Sequence, residues 1–313
     1  SPSEILSNYQ AGNIEFQYRN SGNDEEWVGG SEEVIDNFEN NNGWQTTDGN
    51  TLQKDSTEYS IEGSYALKLG SGNNIDANTA GYWTLDETAG SGAYLLAYLL
   101  DSSGNNNHGT PTGTTYTSGK IGGARSFNGS SDSITTGTSA RPSNNFTVET
   151  WFTTNVTHEI DTESTSGAGG TSGQKYLFGA MNEGTNAGMG VSVGTNGISV
   201  YEHGDSYMPA LAVYNGPVPV GWNHLAVTYI NKTPRIYLNG KLVRTGLTST
   251  KSNIYAPYHI GGGPYGNHSG DIDEVRISNI ARTPEEIAES YRLGKDHYVN
   301  KTLSSSIDLT DRT

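Results

Sequence analysis

Apolar and polar residues alternate along most of this chain with a period of two, the pattern of antiparallel strands that bury one face and wet the other. The clearest runs are residues 14–18, 65–69, 146–152, 222–229, 235–238 and 272–277. Asn239-Gly240 separates the run at 235–238 from Lys241-Leu-Val-Arg244, and both turn residues tolerate positive φ, so a tight hairpin is expected there. Strands and turns spaced this regularly predict an all-β fold of sandwich or jelly-roll type. The Gly/Ser/Thr-rich stretch at 162–173 has the composition of a flexible loop.

Two segments read as helix rather than strand, and they resemble each other. Ser1-Pro-Ser-Glu-Ile-Leu-Ser-Asn-Tyr-Gln-Ala-Gly12 and Thr283-Pro-Glu-Glu-Ile-Ala-Glu-Ser-Tyr-Arg-Leu-Gly294 share Pro, Glu, Ile, Tyr and Gly in register, at an offset of 282. Each has a Ser/Thr N-cap, Pro at the first helical position, Glu at the capping-box position and Gly where a helix would stop, so each predicts one short helix. A chain holding two closing helices reads as part of a longer protein in which a large unit recurs.

Composition narrows the function. Eighteen Lys and Arg against 34 Asp and Glu leave a formal charge of −16, which argues against binding a phosphate backbone. The absence of cysteine removes disulfides, thiol catalysis and thiolate metal sites. No apolar run is long enough for a membrane helix, so neither membrane insertion nor nucleic acid is expected. An acidic, weakly charged chain rich in Gly, Asn and Thr suits an extracellular or cell-surface location. Six Asn-x-Ser/Thr triplets, at Asn128, Asn145, Asn155, Asn231, Asn267 and Asn300, permit glycans there.

From Gly81 to Gly294 a series of landmarks occurs in order. They are Gly81-Tyr-Trp-Thr-Leu-Asp-Glu87, Asp101-Ser-Ser-Gly-Asn-Asn-Asn-His-Gly109, Gly119-Lys-Ile-Gly-Gly-Ala-Arg-Ser-Phe-Asn-Gly129 and Phe146-Thr-Val-Glu-Thr-Trp-Phe152. Trp222-Asn-His-Leu-Ala-Val-Thr228, Ile236-Tyr-Leu-Asn-Gly240, Gly270-Asp-Ile-Asp-Glu-Val-Arg-Ile277 and the helix opening at Thr283 complete the series. This order resembles a laminin-G-like jelly roll of the concanavalin-A-like lectin/glucanase superfamily, as found in repetitive prokaryotic surface proteins. The resemblance implies two antiparallel sheets with short capping helices, on a fold that hosts binders, spacers and hydrolases alike. The chain then divides into the end of a preceding module at 1–30, a β segment at 31–80, the jelly roll at 81–294 and a strand leading onward at 295–313. Val34-Ile-Asp-Asn-Phe-Glu39 and Gly63-Ser-Tyr-Ala-Leu-Lys-Leu69 look like the opening of a split galactose-binding-like sandwich. Residues 13–80 could equally add strands to the jelly roll.

Glucanases of this broad fold place acidic residues at alternate positions of one strand. Alternation puts Asp271 and Asp273 on one face, Glu274 on the other and Val275 where the next acid is needed, so no catalytic residue is assigned and no enzyme is expected. Asp101, Ser103, Asn105 and Asn107 alternate around Gly104 and supply hard oxygen donors at a spacing that can wrap calcium, although the same residues are ordinary turn chemistry. The resemblance adds Asp271 and Asp273, with the Asp86-Glu87 turn, as further calcium ligands. A sugar site needs an aromatic face to stack on and polar groups for hydroxyls. Tyr207 and Tyr265, with His203, Asp205 and Asn267, offer both on loops, as does His268, while Trp83, Trp151, Trp222, Tyr237 and His224 are assigned to packing. The expected function is a non-enzymatic structural or adhesive module whose partners are neighbouring modules or subunits of the same protein. A calcium-dependent lectin-like module is the alternative and a glycoside hydrolase the third. Residues 14–18 and 302–309 are expected to pair with neighbouring modules or with each other, because unpaired edges invite association.

Overall fold

The computed structural model describes residues 75–87, 98–138 and 141–295, together with the backbone of four two-residue strands earlier in the chain. The chain divides into two units, Ser1–Asn73 and Asn74–Thr313. In the first unit β1 (Phe16–Gln17) pairs antiparallel with β2 (Gln45–Thr46), and β3 (Lys54–Asp55) with β4 (Ala66–Leu67). The core of the strand expected at 14–18 pairs along one edge with another segment of this chain. The helix expected at 1–12 and the strand expected at 302–309 lie outside the described residues.

The second unit is built on two eight-stranded sheets. The first runs β17 (Lys241–Thr245), β16 (Thr233–Leu238), β15 (Asn223–Ile230), β10 (Phe146–Phe152), β22 (Ser269–Ser278), β8 (Gly123–Asn128) and β7 (Thr115–Ser118). The long strand β22 pairs through its first half with β8 and through its second half with β5 (Thr79–Trp83). The second sheet runs β14 (Ala210–Tyr214), β13 (Gly197–His203), β12 (Ala187–Gly194), β11 (Tyr176–Phe178), β19 (His259–Ile260), β9 (Ser133–Thr135) and β6 (Thr110–Thr112). A short strand, β18 (Ile254–Tyr255), joins β12 in parallel. Asn239 and Gly240 both take positive φ, at 51° and 74°, as their hairpin requires.

The core lies between the sheets. Phe146, Val148 and Phe152 of β10 and Leu225, Val227 and Tyr229 of β15 meet Val191, Val193, Ile198 and Val200 of β12 and β13. Yet all seven residues of β10, and all of β12 and β13, are buried. The outer faces of these central strands are therefore covered, and in each sheet by a different device.

The first sheet is covered by helix α1 (Pro284–Lys295). Its capping box forms as expected: the Thr283 N–H donates to Glu286 Oε2 at 2.7 Å, and the Glu286 N–H to Thr283 Oγ1 at 3.2 Å. Ile287 packs on Ala226 and Tyr237, and Tyr291 stacks on Trp151 with ring centroids 5.7 Å apart. Gly294 does not stop the helix, which runs on to Lys295; its missing side chain admits Trp151, whose ring would stand 2.7 Å from a Cβ there. Beneath the helix lies a buried ion cluster. Burial alone would raise the Glu149 carboxyl, but the Arg276 guanidinium, bonded to it, holds it below the ordinary carboxylate range. His224, packed against Trp151, is pushed down to about 4 by burial and is neutral near pH 7.

Residues 153–175 pass over the second sheet, and the loop expected at 162–173 is a loop that is hydrogen-bonded to the sheet edge. Its backbone amides find partners on the sheet edge: Ser164 N–H donates to Ala210 O at 2.9 Å, Gly170 N–H to Met208 O at 3.0 Å, and Met208 N–H returns to Gly167 O at 2.7 Å. Tyr176 donates to the Gly170 carbonyl at 2.7 Å and Tyr201 to Asp161 Oδ2 at 2.6 Å. Glu163 receives the Arg244 guanidinium from β17 and the Val213 N–H from β14. Small polar residues here make a docked strap, because buried backbone groups must be satisfied and the sheet edge satisfies them.

Candidate functional site

A two-stranded hairpin, β20 (Gly262–Gly263) and β21 (Gly266–Asn267), carries Pro264 and Tyr265 at its tip. Gly266 lets the hairpin lie flat, since a Cβ there would stand 2.1 Å from the Gln174 carbonyl. Tyr265 is left half-buried. Its ring packs on the cluster of Tyr176, Ala180, Tyr201 and Met208 and meets His203 edge-on, with centroids 5.3 Å apart. His203 Nδ1 stands 2.9 Å from the Ala180 carbonyl, which can only accept, so Nδ1 donates in that bond.

Two residues beyond His203, Asp205 is exposed. Asn182 donates its side-chain amide to Asp205 Oδ1 at 3.1 Å and accepts the Gly184 N–H at 2.8 Å, while the Asp205 N–H donates to the Gly184 carbonyl at 2.8 Å. The two turns therefore brace each other and hold a carboxylate and an amide beside His203. A half-exposed aromatic ring, packed on the buried His203, stands at the same rim as a carboxylate and an amide. This set can stack on an apolar sugar face and bond its hydroxyls.

Three sequence candidates fall elsewhere. Tyr207 belongs to the core between the sheets, only 8% exposed, with its hydroxyl on Glu202 Oε2 at 3.1 Å, so it is no stacking platform. Asn267 spends its amide on the Asp132 carbonyl at 3.1 Å and braces the hairpin. His268 is fully buried, edge-on to Phe127 and Phe152, and burial pushes it down to about 4. Asn182 escaped the sequence reading because nothing marks the turn at 182–184 as the neighbour of the turn at 204–207.

The acidic strand also departs from simple alternation. β22 pairs Arg276 with Glu149 and then Asp273 with Trp151, so it carries one residue more than its partner. Glu274 sits in this bulge at φ 52°, a left-handed conformation that a non-glycine residue adopts under strain. The bulge resets the phase: Ile272 and Val275 both enter the core, and Glu274, expected on the far face from Asp273, comes within interaction range of it. Burial, then the Glu274 and Asp86 carboxyls, raise Asp273 well above the ordinary range. Asp273 is fully buried, its Oδ2 accepts the Ile121 N–H at 2.9 Å, and the Tyr82 hydroxyl holds Glu274. These acids face protein, not a groove.

The side chains expected to hold calcium make hydrogen bonds within the protein. Asp101 Oδ1 accepts the N–H groups of Tyr82 and Ser103, each at 3.0 Å, and Oδ2 accepts that of Asn107 at 2.9 Å. Asn105 turns its amide nitrogen to the Thr79 and Ala80 carbonyls, both at 3.2 Å. The loop is thus a hydrogen-bonded turn that ties β5 in place. Asp271 stands apart on β22, taking the Thr153 hydroxyl at 3.4 Å. Among the described residues, no three His, Asp or Glu side chains converge where a metal could sit.

Several solved structures are similar to this chain. Domain 4 of an extracellular arabinanase from Geobacillus stearothermophilus, solved with arabinotriose, is 20% identical over 68% of this chain and 98% of that one, with a TM-score of 0.45. A Trypanosoma rangeli sialidase with sialic acid is 15% identical over 71% of this chain and 34% of its own length, with a TM-score of 0.49. The binding domain of botulinum neurotoxin serotype G is 14% identical over 70% and 52%, also at 0.49. This chain therefore spans about a third of the sialidase and half of the toxin domain. No curated protein matches it. A family profile does match, over residues 128–288, just over half of the sequence and most of both sheets, and by it the chain belongs to the concanavalin A-like lectin/glucanases superfamily.

Proposed function

We propose that the jelly roll is a non-catalytic, glycan-binding module with an adhesive role on the outside of a cell. The observation that carries this reading is Tyr265, held half-exposed on a rigid hairpin beside His203 and the Asn182–Asp205 pair. The perturbed acids favour binding over hydrolysis, since Glu149, Glu202 and Asp273 all lie within the protein and are engaged by Arg276, Ser249 and the Ile121 amide respectively. A glycan array run with the full chain tests the proposal, with a reducing-sugar assay on every glycan bound. The expected result is binding without turnover, weakened about tenfold or more by Tyr265→Ala or Asp205→Ala. Release of reducing ends would replace this reading with a hydrolase. Binding that ignores both substitutions would move the site elsewhere.

A further inference from the structure

An asparagine followed by glycine is open to attack by its own backbone, because the next nitrogen has no neighbouring side chain to shield it. Asn-Gly occurs at 42–43, 128–129, 196–197, 215–216 and 239–240, and the first of these lies outside the described residues. Three of the other four hold the side-chain amide at both of its polar atoms. Asn239 Oδ1 accepts the His224 N–H at 2.9 Å, and its Nδ2 donates to Asn223 Oδ1 at 2.9 Å. Asn196 Oδ1 accepts the His158 N–H at 3.1 Å, and its Nδ2 donates to the His158 carbonyl at 2.9 Å. Asn128 Oδ1 accepts the N–H groups of Ser130 and Ser131 at 2.8 and 3.0 Å, and its Nδ2 donates to Ser131 Oγ at 3.0 Å. Each must give up bonds on both amide atoms before its Cγ can swing onto the following nitrogen.

Asn215 is placed differently. It is exposed, one residue past the end of β14. Among the described residues, no hydrogen bond reaches its side-chain amide or the Gly216 N–H. Packing explains the glycine, since a Cβ at Gly216 would stand 2.6 Å from the Tyr214 ring. The segment is anchored on both sides: Tyr214 packs against the core, and the buried Val218 donates its N–H to the Thr195 carbonyl at 3.1 Å. Between these anchors lie a free amide, a free N–H and Pro217, which has no N–H to give.

We propose that Asn215-Gly216 is a self-modifying site, the position among these four at which the folded chain deamidates first. The Gly216 nitrogen attacks Asn215 Cγ and gives up its hydrogen. The new C–N bond closes a succinimide, and the Cγ–Nδ2 bond breaks to release ammonia. Water then opens the ring: attack at Cγ leaves aspartate, and attack at the backbone carbonyl leaves isoaspartate, linked onward through its side chain. Solvent water is the co-reactant of the second step. Either product carries one more negative charge. The isoaspartyl form also lengthens the backbone by a carbon atom between the Tyr214 and Val218 anchors.

Peptide mapping by mass spectrometry, on the folded full chain held in mildly alkaline buffer, tests this. The mass gain that marks exchange of an amide for an acid should appear in the Asn215 peptide about tenfold or more faster than in those of Asn128, Asn196 and Asn239. In concentrated urea, which removes the bonds that hold those three, the four rates should draw together. Asn215→Gln should abolish the early conversion and leave the Tm unchanged. No lead for Asn215 in the folded chain would overturn the proposal. An equal lead in urea would trace the difference to sequence neighbours instead of the fold, and would also overturn it. A Tm loss in Asn215→Gln would show that the amide is engaged in the fold, with the same consequence.

Discussion

Glu202 is an acid inside an apolar core, and its proton makes a measurable demand on stability. Burial raises it from the ordinary 4.5 to about 7, outweighing the hydroxyls of Ser249, Tyr207 and Tyr229 that bond to it. The folded chain therefore keeps a proton that the unfolded chain releases. That contribution is complete below pH 4.5 and is lost as pH rises towards 7, an effect of about 3 kcal/mol. His224 and His268, each held at about 4 against an ordinary 6.5, act in the opposite sense, their contribution being lost as pH falls through that window. The parent's pH curve alone is thus a composite, and the informative quantity is its difference from Glu202→Gln. That variant should gain stability over the parent as pH rises from 4.5 to 7, which urea unfolding at several pH values would measure; a constant difference would contradict the ionisation argument. The same carboxyl explains why two tyrosines that look alike in sequence part company. Tyr207 and Tyr265 are both flanked by turn residues and polar groups, but Glu202 and Ser249 draw one into the core while the hairpin lifts the other out. Tyr207→Ala should therefore cost fold stability, about 3 kcal/mol or more, whereas Tyr265→Ala should leave the Tm nearly unchanged. A large Tm loss for Tyr265→Ala would mean its ring is structural.

At the scale of elements, local pattern was legible and long-range pairing was not. Alternation located β10, β15, β16 and β22 to within a few residues because their inner faces share one core, and the capping box located α1. The bulge at Glu274 was hidden because a single inserted residue leaves no mark on composition, although it reverses the phase of everything after it. The strap at 153–175 was hidden for another reason. Its stability comes from backbone amides paired with the edge of β14 and from Asp161 under Tyr201, contacts that need the folded sheet to exist. Asp161→Ala should remove that anchor at a cost of about 1–3 kcal/mol and speed amide exchange in the strap more than in β10 or β15. Uniform acceleration across both sheets would show that the strap has no separate stability. The Asp101 turn gives a simpler forecast. Because its carboxylate is already taken by three backbone amides, calcium and excess chelator should leave the Tm unchanged. A shift of several degrees reversed by chelator would return a cation to that loop.

The jelly roll is two sheets whose central strands are buried on both faces, one sheet beneath a helix and the other beneath a strap. Overall architecture was readable from sequence because turns and strands recur throughout, and the rim was not, since it joins residues near 182, 205 and 265 that no spacing connects. The closing helix carries much of the first sheet's cover: Ile287→Ala should cost about 2–4 kcal/mol, read as a lower denaturation midpoint at unchanged slope. The claim that organises the account is that the rim around Tyr265 takes a glycan. It is tested most directly by titrating the best glycan from an array into the isotope-labelled chain and mapping amide shifts. The account predicts perturbations centred on residues 262–267 and 182–205, and unchanged signals from the strands beneath α1. Perturbations clustered away from that rim, or none with any glycan, would contradict it.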